Sequence, residues 1–233
     1  TLTYPLVGNY GVPRRDDDDP LCAGFESAKI QAQALVIQNL SRDYSHWNAH
    51  RSLDQWLTEE GVPGITGVDV RALTKRLRNS GTLKGRLLID GSPDREEVAN
   101  SPYQDPGKRN VVAEVSCQQP VYHRCGIEAA PRVILVDCGA KTSIARSLLQ
   151  RGADVLQVPW DHDFVSESGD AVLLSNGPGD PKMAKQTIAN IRRALEGDRP
   201  LMGICLGNQL LALAAGFDTY KLDFGHRGQK QPC

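Results

Sequence analysis

The chain has 233 residues, and its 27 basic and 28 acidic side chains leave a formal charge of −1. That length suits one large domain or two modest ones, and the charge balance excludes nucleic-acid binding through bulk electrostatics. Hydrophobic residues at 40 % and charged residues at 24 % exclude a disordered chain, and no apolar run reaches the roughly 20 residues of a membrane-spanning helix.

Along the first hundred residues the periodicity is weak. Ala34–Ile37 and Arg86–Ile89 read as strands. Ser52–Leu57 reads as a helix opened by a Ser/Gln capping box, and Val70–Asn79 as a second, with Asp69 as N-cap and Gly81 beyond its end. Asp16–Asp19 lacks the alternating ligands of a calcium loop and is expected to be a solvated turn. These elements predict a β-rich α/β domain over residues 1–125. Pro102, Pro106, Pro120 and Pro131 punctuate the stretch from Ser101, so the linker is placed near its end.

From Pro131 the pattern becomes regular. Arg132–Asp137, Asp154–Val158, Asp170–Ser175 and Leu201–Ile204 are short apolar runs that read as buried strands. Between and after them come helices over Thr142–Arg151, with Ile144, Leu148 and Leu149 on one face, over Lys182–Glu196, with Ile188, Ile191 and Leu195, and over Leu206–Ala215, apolar on most sides and so expected to be buried. This order predicts a parallel α/β domain over residues 131–233.

Six cysteines (Cys22, Cys117, Cys125, Cys138, Cys205 and Cys233) include no Cys-x-x-Cys pair, which argues for a reducing, cytoplasmic setting and against a metal site. Cys205 stands apart. In Gly203-Ile-Cys205-Leu-Gly207 it lies between a strand and a helix, the pattern of a nucleophile elbow, where a Cβ at either glycine would strike a neighbouring element. A helix N-terminus favours the thiolate, so Cys205 is expected to be the most nucleophilic cysteine. The Leu206 N–H is the natural first oxyanion donor, and a second is expected from Asn176-Gly-Pro-Gly-Asp180, the loop ending the preceding strand. Cys138 lacks an elbow and reads as structural. A phosphate cradle at the same loop is disfavoured, because neither Gly-x-x-x-x-Gly-Lys-Ser/Thr nor Gly-x-Gly-x-x-Gly occurs.

At these residues the sequence resembles a known family. Gly-Ile-Cys-Leu-Gly-x-Gln-Leu-Leu-Ala-Leu-Ala (203–214), Leu-Ser-Asn-Gly-Pro-Gly-Asp-Pro (174–181), Thr219-Tyr-Lys221 and Gly225-His-Arg-Gly228 are similar to the class I glutamine amidotransferase part of carbamoyl-phosphate synthetase. Thr3-Tyr-Pro-Leu-Val-Gly-Asn-Tyr-Gly11 and Gly61-Val-Pro-Gly-Ile-Thr-Gly-Val-Asp69 extend the likeness to the small-subunit N-terminal domain. Ser45-His-Trp47 and Pro159-Trp-Asp-His162 look like the multifunctional pyrimidine-pathway form of eukaryotes. The resemblance implies glutamine hydrolysis: attack by Cys205, oxyanion donation by Leu206 and Gly179, a glutamyl thioester, and contacts to glutamine from Gly177 and Gln209. Ammonia would pass to a synthetase domain or large subunit, where ATP and Mg act; no cofactor is expected within this segment.

Three departures bear on activity. Asn208 stands where the family usually has His, without being the base. The family's base and its orienting carboxylate sit in a His-Pro-Glu motif farther past the nucleophile than the 28 residues present here, and a glutamine-contacting serine lies upstream of Thr1. The chain is therefore expected to be a piece of a longer protein, truncated at both ends and inactive by itself. His46, His50, His123, His162 and His226 match no such motif and are expected to be surface or turn residues. The alternative is a non-catalytic amidotransferase-derived module that docks a synthetase.

Overall fold

The computed structural model describes residues 1–16, 18–81 and 83–222. Contacts divide the chain into two units. One comprises residues 1–18 and 28–104, with Lys221 and Leu222; the other comprises 19–27 and 105–220. The division thus falls at 104/105, upstream of the 125–131 boundary expected from the prolines. The reason is physical: the stretch after 105 contributes a helix and an edge strand to the second unit.

The first unit is built from very short strands. β1 (Leu6–Val7) runs parallel to β4 (Asn39–Leu40), β2 (Val12–Pro13) antiparallel to β5 (Ala49–Arg51), and β3 (Leu35–Val36) parallel to β6 (Gly64–Ile65). Helix α1 (Leu53–Glu59) follows Ser52, whose Oγ accepts from Gln55 N–H at 3.1 Å while Gln55 Oε1 accepts from Ser52 N–H at 2.9 Å, the expected capping box. Helix α2 (Val70–Ser80) is capped by Asp69, which accepts from Ala72 N–H at 2.8 Å, and Gly81 follows it at φ 72°. Helix α3 (Arg95–Asn100) completes this unit. The expected strand at Arg86–Ile89 does not form: Leu88 and Ile89 are exposed, and Arg86 instead lies over the Tyr103 ring and donates to Ala99 O and Ser101 O. An apolar run without a partner edge stays a loop.

The second unit centres on one five-stranded sheet. α4 (Val111–Val115) leads into β7 (Val121–His123); then come β8 (Arg132–Asp137), α5 (Thr142–Gln150), β9 (Asp154–Pro159), β10 (Ala171–Leu174), α6 (Lys185–Ala194), β11 (Leu201–Gly203) and α7 (Leu206–Ala214). The strand order is β11-β10-β8-β9-β7, all parallel except β7, which joins β9 antiparallel at the edge. The parallel α/β expectation holds. The β7 pairing and α4 were not anticipated.

Alternate residues of β8 serve opposite faces. Ile134 and Val136 pack with Phe164, Ile188, Ile191, Leu206 and Leu210 under α6 and α7, whereas Leu135 packs with Ala145, Val155 and Leu173 under α5. Two side-chain expectations are corrected. Leu195 is 42 % exposed because α6 ends at Ala194. Helix α7 buries one face, through Leu206, Gly207, Leu210 and Ala214, and leaves Asn208 and Gln209 exposed at its first turn.

Candidate active site

Cys205 sits where β11 turns into α7, with φ 53° and ψ −105°, a region that a side chain enters only under strain. Its position is enforced by the two flanking glycines. A Cβ on Gly203 would lie 2.4 Å from Asn208 N, and one on Gly207 would lie 2.3 Å from Leu174 O, so strand and helix approach too closely for any side chain. The Cys205 side chain is exposed. Leu206 opens α7, and first-turn N–H groups of a helix have no partner within it. Gln209, one turn on, donates its N–H to Cys205 O at 3.2 Å.

β10 and β11 are parallel neighbours in register, Leu174 opposite Gly203. The loop that follows β10 therefore leaves the sheet at the same carboxyl edge as Cys205, the edge where open α/β sheets bind ligands. A direct bond joins the two turns: Gly207 N–H donates to Ser175 O at 3.1 Å. Within the loop, a Cβ on Gly177 would lie 2.1 Å from Cys138 O, and Gly179 adopts φ 85°. Asp180 then accepts from Lys182 N–H at 2.9 Å and caps the short 3-10 turn Pro181–Met183. Cys205, Leu206, Gly177, Gly179 and Gln209 thus lie on two adjoining turns of one sheet edge.

Sequence reasoning missed the polar frame beneath these turns. Asp137, at the end of β8, is 4 % exposed. Its Oδ1 accepts from Gly139 N–H and Ala140 N–H, both at 2.8 Å. Its Oδ2 accepts from Cys117 N–H at 3.0 Å and Gln157 Nε2 at 2.8 Å. The same carboxylate, added to burial, pushes the Cys117 and Cys138 thiols up to about 12. A polar residue closing an apolar strand was the one available signal.

In the second unit, neither described histidine lies on the turns after β10 and β11. His46 stacks beside Tyr10 and Trp47 in the first unit, which also holds His50. His123, expected at the surface, is 7 % exposed on β7, where it lies opposite Val155 near the start of β9, the far edge of the sheet from Cys205. His162 follows β9 and bonds Glu167 Oε1 at 2.8 Å. His226 and the Gly225–Gly228 motif fall outside the described residues. Among the described residues no group of three metal-ligating side chains occurs, and no helix is long and apolar enough to cross a membrane.

Comparison with known proteins matches residues 134–233 to the glutamine amidotransferase class-I family and residues 1–87 to the CPSase domain of the carbamoyl-phosphate synthase small chain. All of this chain aligns with 10 % of the multifunctional protein CAD of Squalus acanthias, at 50 % identity over 236 residues. It likewise aligns with 11 % of the multifunctional protein pyr1-3 of Dictyostelium discoideum, at 42 % identity over 249 residues. The mitochondrial carbamoyl-phosphate synthase [ammonia] of Aquarana catesbeiana is 43 % identical over 237 residues, 15 % of that protein. The chain thus spans a small fraction of the length of these relatives. It pairs a stretch similar to the small-chain CPSase domain, residues 1–87, with a stretch similar to the class-I glutamine amidotransferases, residues 134–233, the latter beginning on the parallel α/β sheet.

Proposed function

We propose that the chain is the glutamine-hydrolysing part of a carbamoyl-phosphate synthetase and supplies ammonia for carbamoyl phosphate in pyrimidine synthesis. The observation that carries this reading is the exposed, strained Cys205 beside the Gly177–Gly179 loop. In this reading the turn is a nucleophile elbow. Cys205 Sγ attacks the side-chain amide carbon of glutamine, and the carbonyl π electrons move to oxygen, where the Leu206 and Gly179 N–H groups stabilise the oxyanion. Collapse of this intermediate breaks the C–N bond once the nitrogen is protonated, releasing ammonia and leaving a glutamyl thioester. Water then hydrolyses the thioester to glutamate and restores the thiol. Gly177 and Gln209 hold the glutamine.

The ammonia passes to a synthetase domain or large subunit. ATP and magnesium belong to that partner, and no residue of this chain is assigned to them. The five described cysteines, none in a disulfide, support a reducing setting, which we take to be the cytoplasm. Neither described histidine of the second unit, His123 or His162, lies on the turns after β10 and β11, and on this reading residues 1–233 alone should turn over glutamine only at trace rates.

The test is Cys205→Ser in the full parent polypeptide. Glutamine-dependent ammonia release should fall by about a thousandfold or more, while carbamoyl phosphate synthesis from added ammonia persists. Parent-level glutamine hydrolysis by this variant would overturn the enzymatic reading and leave the docking module.

A further inference from the structure

The glycine loop has no regular structure of its own, and a flexible strand of this kind would hold a substrate and an oxyanion donor poorly. Its backbone is instead fastened to the β8 turn at three points. Ser175, fully buried, accepts from Cys138 N–H at 2.9 Å and donates from the same Oγ to Asn176 O at 2.7 Å. Asn176 spans the gap with both ends of its amide: Oδ1 accepts from Lys141 N–H at 3.1 Å, and Nδ2 donates to Gly139 O at 3.1 Å. Sterics close the third point, since a Cβ on Gly139 would lie 2.8 Å from Pro178 Cδ.

The β8 turn is in turn fixed from behind by the Asp137 carboxylate, through Gly139 N–H and Ala140 N–H. A continuous chain of hydrogen bonds therefore runs from a buried carboxylate, through the turn at 138–141, to the peptide that precedes Gly177. Few covalent constraints act on the loop, so these side chains set where the Gly179 N–H points. An error of about 1 Å at such a donor is enough to cost a hundredfold in rate.

We propose that Asn176 and Ser175 are positioning residues for glutamine hydrolysis, acting through the loop backbone to aim the Gly179 N–H and shape the Gly177 contact without touching the reacting atoms. This inference rests on the reading of Cys205 as the nucleophile. It assigns the amide of Asn176 to the β8 turn, so that side chain is not free to bind glutamine.

The experiment compares Asn176→Ala, Ser175→Ala and Cys205→Ser in the full parent polypeptide. Glutamine hydrolysis, carbamoyl phosphate synthesis from added ammonia, and iodoacetamide labelling of Cys205 are measured for each except the labelling of the serine variant. Asn176→Ala and Ser175→Ala should each lower kcat for glutamine about tenfold to a hundredfold, with KM changed less than kcat. Ammonia-dependent synthesis and the Cys205 labelling rate should stay within about threefold of the parent, because the Cys205 turn keeps its own bond through Ser175 O. Parent-like kcat in both alanine variants would overturn the proposal. So would a fall in all three measurements together, which marks a general loss of structure. A Cys205→Ser polypeptide that still hydrolyses glutamine would instead remove the reading on which the proposal stands.

Discussion

The two units solve the problem of holding a chain in place by different means. In the first, three separate two-stranded pairs of two or three residues each are secured by local devices: the Ser52 capping box, the Asp69 cap, and turns at glycines with positive φ. In the second, strands of up to six residues are paired in register across one sheet, with buried side chains on both faces. Local devices tolerate change because each is worth about 1 kcal/mol. A site built at the edge of a packed sheet tolerates little, since a displaced backbone atom moves its neighbours too.

The sharpest way to break this comparison is a methyl group. Gly207→Ala places a Cβ 2.3 Å from Leu174 O, so β10 and α7 must part. Destabilisation by about 3 kcal/mol or more is expected, together with loss of glutamine hydrolysis. Gly61→Ala in the first unit meets nothing within 4 Å and carries only the strain of φ 66°, about 1–2 kcal/mol. Thermal unfolding midpoints of the two variants, with glutaminase assays, decide the matter; equal shifts would erase the distinction.

Gly179 offers a finer cut. At φ 85° it accepts neither proline nor, without strain, alanine. Gly179→Ala keeps the N–H, whereas Gly179→Pro removes it and also forces φ to about −65°. Turnover of Gly179→Pro should drop by about a hundredfold or more, roughly 3 kcal/mol, and Gly179→Ala should lose clearly less. Similar kcat values would place the oxyanion donor elsewhere.

A comparison within the second unit comes next. Cys117 and Cys138 are pushed up to about 12, first by burial and then by Asp137. Near neutral pH they carry almost no thiolate, while Cys205 is exposed at a helix N-terminus. Peptide mapping after brief iodoacetamide treatment should find Cys205 modified at least about tenfold faster than either. Equal labelling of Cys138 would mean that the β8 edge opens. The smallest effect belongs to Ser52→Ala, which removes the capping box and should cost about 1 kcal/mol with glutamine hydrolysis unchanged. A drop in kcat there would tie the first unit to the chemistry.

The same contrast explains what could be read from the residues alone. β8, β9, β10 and β11 announce themselves as apolar runs because parallel strands are buried on both faces. Cys205 and its glycines are legible for another reason: the residues that mark the turn are five consecutive ones, although the atom that bars a Cβ at Gly207 belongs to Leu174 on β10. β7 is not, because Val121-Tyr122-His123 has no apolar pattern and becomes a strand only through β9. Arg86–Ile89 errs the other way, having the composition of a strand and no edge to join. The loop tethers escape notice since Asn176 reaches backbone 35 and 37 residues away. A single polar residue beside a glycine carries no mark of such a partner.

One feature of the second unit bears on how the protein is made. Residues 19–27 belong to it, and they reach α5 across more than a hundred residues of chain. Arg146 Nη1 donates to Leu21 O at 2.6 Å and Phe25 O at 3.1 Å, Thr142 Oγ1 donates to Phe25 O at 2.5 Å, and Ser143 N–H donates to Glu26 Oε2 at 3.1 Å. Leu21 packs among Leu135, Ala145, Val155 and Leu173. During synthesis this segment leaves the ribosome well before α5 exists. At about 5–20 residues per second it waits several seconds for the carbonyl acceptors it carries to find their donors. Expression of the amidotransferase sheet from residue 105 onward would omit that segment, leave the Arg146 guanidinium facing no carbonyls from it, and take Leu21 out of the apolar cluster under α5.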